Sequence, residues 1–250
     1  MTNLNNKKLF LFYTDKNKTT KTGILVQKLL TKFGNNLVSS SEEADIIISI
    51  GGDGNFFKAV HTFYDKNKFI FPLGTGTKNF LLNKIDSLEE LSGEFKMIEF
   101  PLIKGKVYFN SGEEKNYIAF NDFYMNADYG KMGILSIVGE NYPKREIAGD
   151  GIIISTPAGS TGYNINSGGV VMPLLDNIWS VTDINSRDKI SHIIEVQKLE
   201  ITALKRGFTG HFDNNKITDF NKVILDKSSH SIKVLYLEDN DFENIRYKIK

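Results

Sequence analysis

The sequence holds no cysteine in its 250 residues, which excludes disulfides, thiol chemistry and Cys-ligated zinc. Nor is there an excess of either charge. Lys+Arg number 31 against 30 Asp+Glu, a net charge of +1, so no global field selects nucleic acid or an anionic membrane. No apolar run approaches the ~20 residues that a membrane helix needs. The segment Met1 to Lys8 is polar and lacks the apolar core of a signal peptide. Histidine is scarce, and His61, His192, His211 and His230 show no metal-ligand spacing, so no metal-ligating residues are assigned. Only His211 falls beside a stretch of interest. Trp179, the sole tryptophan, belongs to a core or a subunit interface. No linker rich in Pro, Gly or Ser divides the chain, there is no internal repeat, and the one compositional bias is toward Lys and Asn. These absences lead us to expect a soluble, cytoplasmic protein with no nucleic-acid or membrane partner. A hydrophobic content of 40% and an aromatic content of 12% suit a packed globular chain. Its length fits one large domain or two modest ones.

The chain is organised around Ile46-Ile47-Ile48-Ser49-Ile50-Gly51-Gly52-Asp53-Gly54-Asn55-Phe56-Phe57. An apolar run without alternation reads as a strand buried on both faces, as in a parallel sheet. It stops at Gly-Gly-Asp-Gly, and helical spacing follows at Phe56, Phe57, Val60 and Phe63. Glycines at the carboxyl end of a strand and the start of a helix let backbone N–H groups approach phosphate. A carboxylate there, Asp53, is costly unless it holds a metal or takes a proton. A tight βα turn with a capping Asp remains open for these four residues alone. Before this stretch, Lys7–Tyr13 reads as a strand and Ile24 to Phe33 as a helix that Gly34 stops. After it, Lys68–Leu73 reads as a third strand, again ending in a glycine turn, Gly74-Thr75-Gly76-Thr77. Two such turns should face one sheet edge and form a crevice. Ser87 to Glu90 has the spacing of a helix start.

Composition changes near Gly93. Short β-like runs follow at Lys96–Tyr108, Asn116–Met125, Gly133–Val138, Ile152–Thr156, Lys198–Leu204, Gly207–Phe212 and Lys222–Leu225, with Asn214-Asn215 as a hairpin turn. Ile232–Leu237 reads as a strand and Phe242–Ile249 as a short helix or arm. The predicted fold is an α/β N-terminal domain (Rossmann-like parallel sheet) over 1–94, a β-rich domain over 95–231, and a segment 232–250 returning to the first. Within the β-rich part, Gly149-Asp150-Gly151 precedes a strand that opens at Ser155-Thr156-Pro157-Ala158-Gly159-Ser160-Thr161-Gly162-Tyr163-Asn164. Small residues there leave room for a flat group, and Tyr163 can pack on a ring. A Gly/Ser-rich hairpin bend would look similar. Asn121-Asp122 offers an amide beside a carboxylate, suited to two vicinal hydroxyls, though such a dipeptide is commonly a turn.

In order and spacing these motifs resemble those of NAD kinases, over nearly the whole chain. Gly-Gly-Asp-Gly is shared with diacylglycerol, sphingosine and phosphofructo-kinases; the Ser-Thr-Pro-x-Gly-Ser-Thr-x-Tyr block points to NAD kinases. The resemblance implies an NAD kinase/diacylglycerol kinase-like fold. It implies phosphoryl transfer from ATP, or from polyphosphate, to the 2′-hydroxyl of the adenosine ribose of NAD, with Mg²⁺. It also implies a homo-oligomer, a dimer or tetramer. By the same resemblance Asp53 is the general base with Gly54 beside it, Lys58 faces phosphate and Phe80 is an aromatic near the nucleotide. Asn121 and Asp122 hold ribose hydroxyls. Ala158, Thr161, Gly162, Tyr163, Asn164, Ile165 and Asn166 form the adenine pocket. Asp150, with Ala148 before it, reaches a ligand on a neighbouring subunit. Thr182 neighbours the ligand, Asn185-Ser186-Arg187 matches a subunit contact, and Asp213 lies near the reacting end. Several positions depart from the pattern: Asn55 for Thr, Lys78-Asn79 for Leu-Gly, Asp122 for Glu, Ala148 for Arg and Gly162 for Ala. The Asp122 change shortens the side chain by one methylene, leaving a ribose contact that is weaker or bridged by water, the Ala148 change removes a charge across the subunit contact, and the Gly162 change enlarges the adenine pocket. Two rivals are a lipid kinase, which would need an acyl-chain cleft and lack the adenine block, and a non-catalytic NAD-binding regulator, which would lack the base.

Overall fold

The computed structural model describes residues 4, 6–15, 17–77, 79–128, 132–205 and 207–238. Lys78 and the arm expected at Phe242–Ile249 lie outside them. The chain divides into two compact units. Among the described residues the first holds those up to Phe100 and those from His230 onward, and the second holds Pro101–Ser229.

The first unit begins with β1 (Leu9–Phe12), α1 (Lys21–Phe33), β2 (Ile46–Gly51), α2 (Asp53–Phe63) and β3 (Phe69–Gly74). β2 pairs in parallel with β1, Leu9 opposite Ile46, and with β3, Gly51 opposite Gly74. Ile46, Ile47, Ile48 and Ile50 are all fully buried, as their lack of alternation predicts. Side chains alternate across a strand, so Ile46, Ile48 and Ile50 face one layer. That layer includes Val26, Leu29 and Phe33 of α1. On the opposite face Ser49 Oγ accepts a hydrogen bond from Asn55 Nδ2 of α2 at 3.0 Å, so α2 covers it. Thr20 caps α1 by accepting from the Gly23 N–H at 3.1 Å. Gly34 does end α1, but at φ −46°, entering a 3-10 turn rather than a left-handed cap. The helix expected after Ser87 is only a 3-10 turn, Glu89–Ser92, although Glu90 Oε1 accepts from the Asp86 and Ser87 N–H groups as a helix start would.

From β4 (Phe95–Phe109) the chain is almost all strand: β5 (Glu114–Ala119), β6 (Asp122–Ala127), β7 (Gly133–Gly139), β8 (Arg145–Gly149) and β9 (Gly151–Ser155). A single turn of helix, α3 (Tyr163–Asn166), precedes β10 (Ile178–Ile184), β11 (Ser191–Glu195), β12 (Leu199–Lys205), β13 (Phe208–Phe212), β14 (Asn215–Ile217) and β15 (Phe220–Leu237). In the second unit, β11-β10-β9-β6-β13-β14 form one antiparallel sheet. β8-β7-β12 and the first part of β15 form another antiparallel array. Their inner faces share one core, with Phe123, Ile154, Trp179 and Phe212 against Leu135, Ile137, Ile201 and Val223. Trp179 is thus a core residue, 1% exposed.

Three expectations change. The run Asn116–Met125 is broken at Phe120-Asn121 into β5 and β6. Lys222–Leu225 and Ile232–Leu237 belong to one 18-residue strand, β15, whose end pairs in parallel with β3 in the first unit. The hairpin turn is Asp213-Asn214, because Asn215 already pairs with Phe212 and Asp213 supplies the left-handed φ of 51°. Among the described residues no helix is long and apolar enough to cross a membrane.

Gly105 on β4 shows how tightly the second core is closed. A Cβ there would lie 2.0 Å from the Phe212 ring, which itself stacks on Tyr117 at 5.2 Å. Gly105→Ala should therefore cost about 1–3 kcal/mol of unfolding free energy through overpacking. Urea denaturation measures it, and an unchanged midpoint would show that the ring moves aside freely.

Candidate active site

In the first unit β2 and β3 end side by side, and the Thr75 N–H donates to the Gly51 carbonyl at 2.8 Å. The two glycine turns therefore leave the same edge, as expected. They also touch: a Cβ on Gly76 would lie 3.2 Å from the Gly52 Cα. Gly52 precedes α2 and Asp53 opens it. Asp53 Oδ1 accepts from the Phe80 N–H at 2.9 Å, so its carboxylate ties α2 to the segment after the second turn. Oδ2 makes no hydrogen bond among the described residues, and Asp53 is half-buried. Gly54 and Lys58 are exposed on α2 and Phe80 is half-buried.

Two departures from the family pattern have local explanations. Asn79 takes φ 54°, a conformation natural to the glycine it replaces and tolerated by Asn. Its Oδ1 accepts from the Gly76 N–H at 3.1 Å and its Nδ2 donates to the Gly76 carbonyl at 2.7 Å, closing the second turn. Asn55 donates from Nδ2 to the Phe12 carbonyl at 3.1 Å as well as to Ser49, binding α2 to β1 and β2. Thr22 and Thr75 hydroxyls meet at 2.6 Å, bringing the start of α1 to the second turn. Neither Asn55 nor Thr22 was assigned a site role from sequence, since such ties join positions distant in the chain.

The second unit holds the remaining candidates. After β9, Ala158–Thr161 form a 3-10 turn that sits on the break between β5 and β6. The Thr156 N–H donates to the Asn121 carbonyl at 2.8 Å and Thr156 Oγ1 to the Phe120 carbonyl at 2.7 Å. Gly159 is required by this approach, because a Cβ would lie 2.3 Å from the Asn121 carbonyl oxygen. Thr161, Tyr163 and Ile165 are half-buried and Gly162 and Asn166 exposed, while Ala158 is 7% exposed.

Asn164 and Thr182 do not present themselves to a ligand. Both are fully buried, and Thr182 Oγ1 donates to Asn164 Oδ1 at 2.7 Å. Asn164 Nδ2 donates to the Val170 carbonyl at 3.0 Å, so the pair shapes the loop from within. Asp150 also differs from expectation. It is half-buried and accepts from Asn185 Nδ2 at 2.9 Å in its own chain, so it is not a buried carboxylate that lacks a partner. Ala148 is half-buried on β8.

Asp213 holds the break itself. Its Oδ2 accepts from the Phe120 N–H at 2.7 Å, and its Oδ1 from the Asn121 and Asp122 N–H groups at 2.9 and 3.1 Å. Its carboxylate thus supports the backbone of Asn121 and Asp122; the place near the reacting end is what the sequence resemblance implies for it. Asp122 is 7% exposed. Burial, and then the charge of Asp213, push its carboxyl up to about 8, so at pH 7 it is mainly the neutral acid and can both donate and accept. Asn121 Oδ1 beside it is buried without a partner. Tyr124 and His211 complete this neighbourhood. Tyr124 shares the face of β6 that carries Asp122, an i, i+2 relation visible in sequence once the strand register is known. Among the described residues no group of three or more His, Asp or Glu could hold a metal ion.

Residues 121–233 match the family model of the ATP-NAD kinase C-terminal domain. Over this region the chain is similar to NAD kinases. An NAD kinase of Staphylococcus epidermidis is 32% identical over 163 residues, covering 60% of this chain and 61% of that one. An NAD kinase of Staphylococcus aureus is 30% identical over the same length and coverage. The match thus spans about three fifths of these NAD kinases. Among solved structures, a yeast NADH kinase complexed with NADH superposes with a TM-score of 0.81 at 15% identity, covering 96% of this chain and 86% of that one. An Archaeoglobus fulgidus NAD kinase in complex with ATP gives 0.76 at 18% identity, covering 97% and 99%. At such identities the likeness concerns the fold, α/β strands and helices followed by a β-rich region.

The Asp122 environment has a measurable consequence. Between about pH 4 and 8 the folded chain holds a proton on this carboxyl that the unfolded chain releases, so stability falls as pH rises through that window. Asp122→Asn keeps the neutral form throughout. Its melting temperature should differ least from that of the parent near pH 4 and exceed it increasingly toward pH 8. A difference that is constant across that range would mean that Asp122 ionises normally.

Proposed function

We propose that this protein transfers the terminal phosphoryl group of ATP to the 2′-hydroxyl of the adenosine ribose of NAD, giving NADP and ADP. The observation that carries the reading is the match of residues 121–233 to the ATP-NAD kinase C-terminal domain, over the stretch where Asn121-Asp122 and the Thr156–Asn166 loop are folded onto each other. A lipid kinase has no use for that loop. The half-buried Asp53 carboxylate, held by one oxygen and free at the other, argues against a regulator without a base.

In this reading the backbone N–H groups of the Gly51–Gly54 turn receive phosphate at the start of α2, while the Gly74–Gly76 turn, whose own N–H groups are bonded to Asn83, Gly51 and Asn79, braces it. Lys58, exposed on the same helix, faces phosphate. The ribose hydroxyls meet Asn121 and the neutral acid of Asp122, which together provide donors and acceptors. The exposed and half-buried side of the loop, with Tyr163, receives the adenine. Asp53 takes the 2′-hydroxyl proton as the new P–O bond forms and the bond to ADP breaks. Phosphoryl transfer of this kind depends on alignment and charge neutralisation more than on covalent chemistry. Mg²⁺ fits Asp53 only as one ligand among nucleotide phosphates and water, since no larger donor set exists among the described residues. When bound it would neutralise phosphate charge. The sequence resemblance implies a homo-oligomeric active form, a dimer or tetramer, and in it Asp150 and Asn185 act as a pair rather than Asp150 alone.

Asp53→Asn should fold normally, bind NAD within about twofold of the parent, and lose about two to four orders of magnitude in kcat, the range for a missing general base. Turnover close to the parent value would remove Asp53 from that role.

A further inference from the structure

Tyr124 and His211 stand beside the nucleotide loop, and none of the family motifs includes them. They are direct cross-strand partners on β6 and β13. Their rings meet edge to face at 4.6 Å and 79°, and His211 Nδ1 lies 3.1 Å from the Tyr124 hydroxyl. Tyr124 also meets Tyr163 edge to face, at 5.0 Å and 87°. All three rings are half-buried. Edge-to-face contacts favour one relative orientation of the rings beyond what burial alone provides. Two such contacts and one hydrogen bond therefore restrict the Tyr124 ring, and through it the Tyr163 ring.

The histidine is a costly way to fill this space. Among the described residues its Nε2 is buried without a partner, and burying an unsatisfied polar group is unfavourable. An apolar side chain at 211 would carry no such cost. What the imidazole adds is the bond that fixes the Tyr124 hydroxyl.

We propose that Tyr124 and His211 are positioning residues for nucleotide recognition, holding the Tyr163 ring in the orientation that receives the base. The proposal rests on the reading of Tyr163 as a wall of the adenine pocket. It separates orientation from contact: Tyr163 touches the base, and the other two act through it.

A double-mutant cycle on the full chain tests this, with NAD binding followed by calorimetry and turnover by NADP formation. Tyr163→Leu and Tyr124→Leu should each weaken NAD binding about tenfold and raise KM for NAD by a similar factor, with a far smaller change in kcat. The double variant should bind no more weakly than Tyr163→Leu, because without that ring there is nothing left to orient. Tyr124→Phe, which removes only the hydrogen bond, and His211→Leu, which removes the ring contact as well, should each lose about threefold, and they carry the same cycle if Tyr124→Leu fails to fold. Additive losses, or parent-like NAD binding in the Tyr124 and His211 variants while Tyr163→Leu binds weakly, would overturn the positioning role and leave the kinase reading standing. A parent protein that binds no NAD would overturn both.

Discussion

The carboxylate of Asp213 grips three consecutive backbone N–H groups, those of Phe120, Asn121 and Asp122, at 2.7 to 3.1 Å. Much of the second unit's site follows from that grip. It ends β5 and starts β6 two residues on, which turns the Phe120 and Asn121 carbonyls toward Thr156 and seats the Thr156–Asn166 loop. Hydrogen bonds to an ionised group contribute about 1.5–3 kcal/mol each, so three of them define the break firmly. A charged Asp213 at this place also makes a second charge unfavourable. Burial first, and then that neighbour, keep Asp122 protonated. One side chain thus shapes the backbone of Asn121 and Asp122 and contributes to the protonation state of the latter.

The first unit solves a different problem, that of bringing two glycine turns together at one sheet edge. Gly52 and Gly76 approach so closely that a side chain on Gly76 would crowd the opposite turn. Asn79 and Asn55, both departures from the family pattern, close this arrangement with their amides. Asp53 is then fixed through one oxygen by the Phe80 N–H, leaving the other for chemistry. Positive backbone density and one carboxylate are placed together by turn geometry, and no metal cage is needed to hold them.

Sequence revealed those parts whose causes are local. The unalternating Ile46–Ile50 run, the two glycine turns and the Thr156–Tyr163 block each declare their structure within a dozen residues. What it missed depends on distant partners. The kink at Phe120-Asn121 lies in a run that looks like one strand, and only Asp213, 92 residues from Asn121, explains it. β15 was read as two strands because its middle, Ser228 to Ser231, is polar, yet it remains extended as the chain passes from one unit to the other. The resemblance puts Asn164 in the adenine pocket and Thr182 beside the ligand, and their hydrogen bond to each other in the loop's interior joins positions 18 residues apart that the sequence alone does not link. Asp150 was expected to need a partner in a second subunit, and the left-handed turn at Asn185 brings one within its own chain.

The central claim is that this chain phosphorylates one particular hydroxyl of NAD. The most direct measurement is phosphorus NMR of a reaction containing purified protein, NAD, ATP and Mg²⁺. The account predicts a new phosphomonoester resonance, coupled to the adenosine ribose at its 2′ position, growing in step with ADP. ADP without that monoester, or no consumption of ATP while NAD binds, would contradict it.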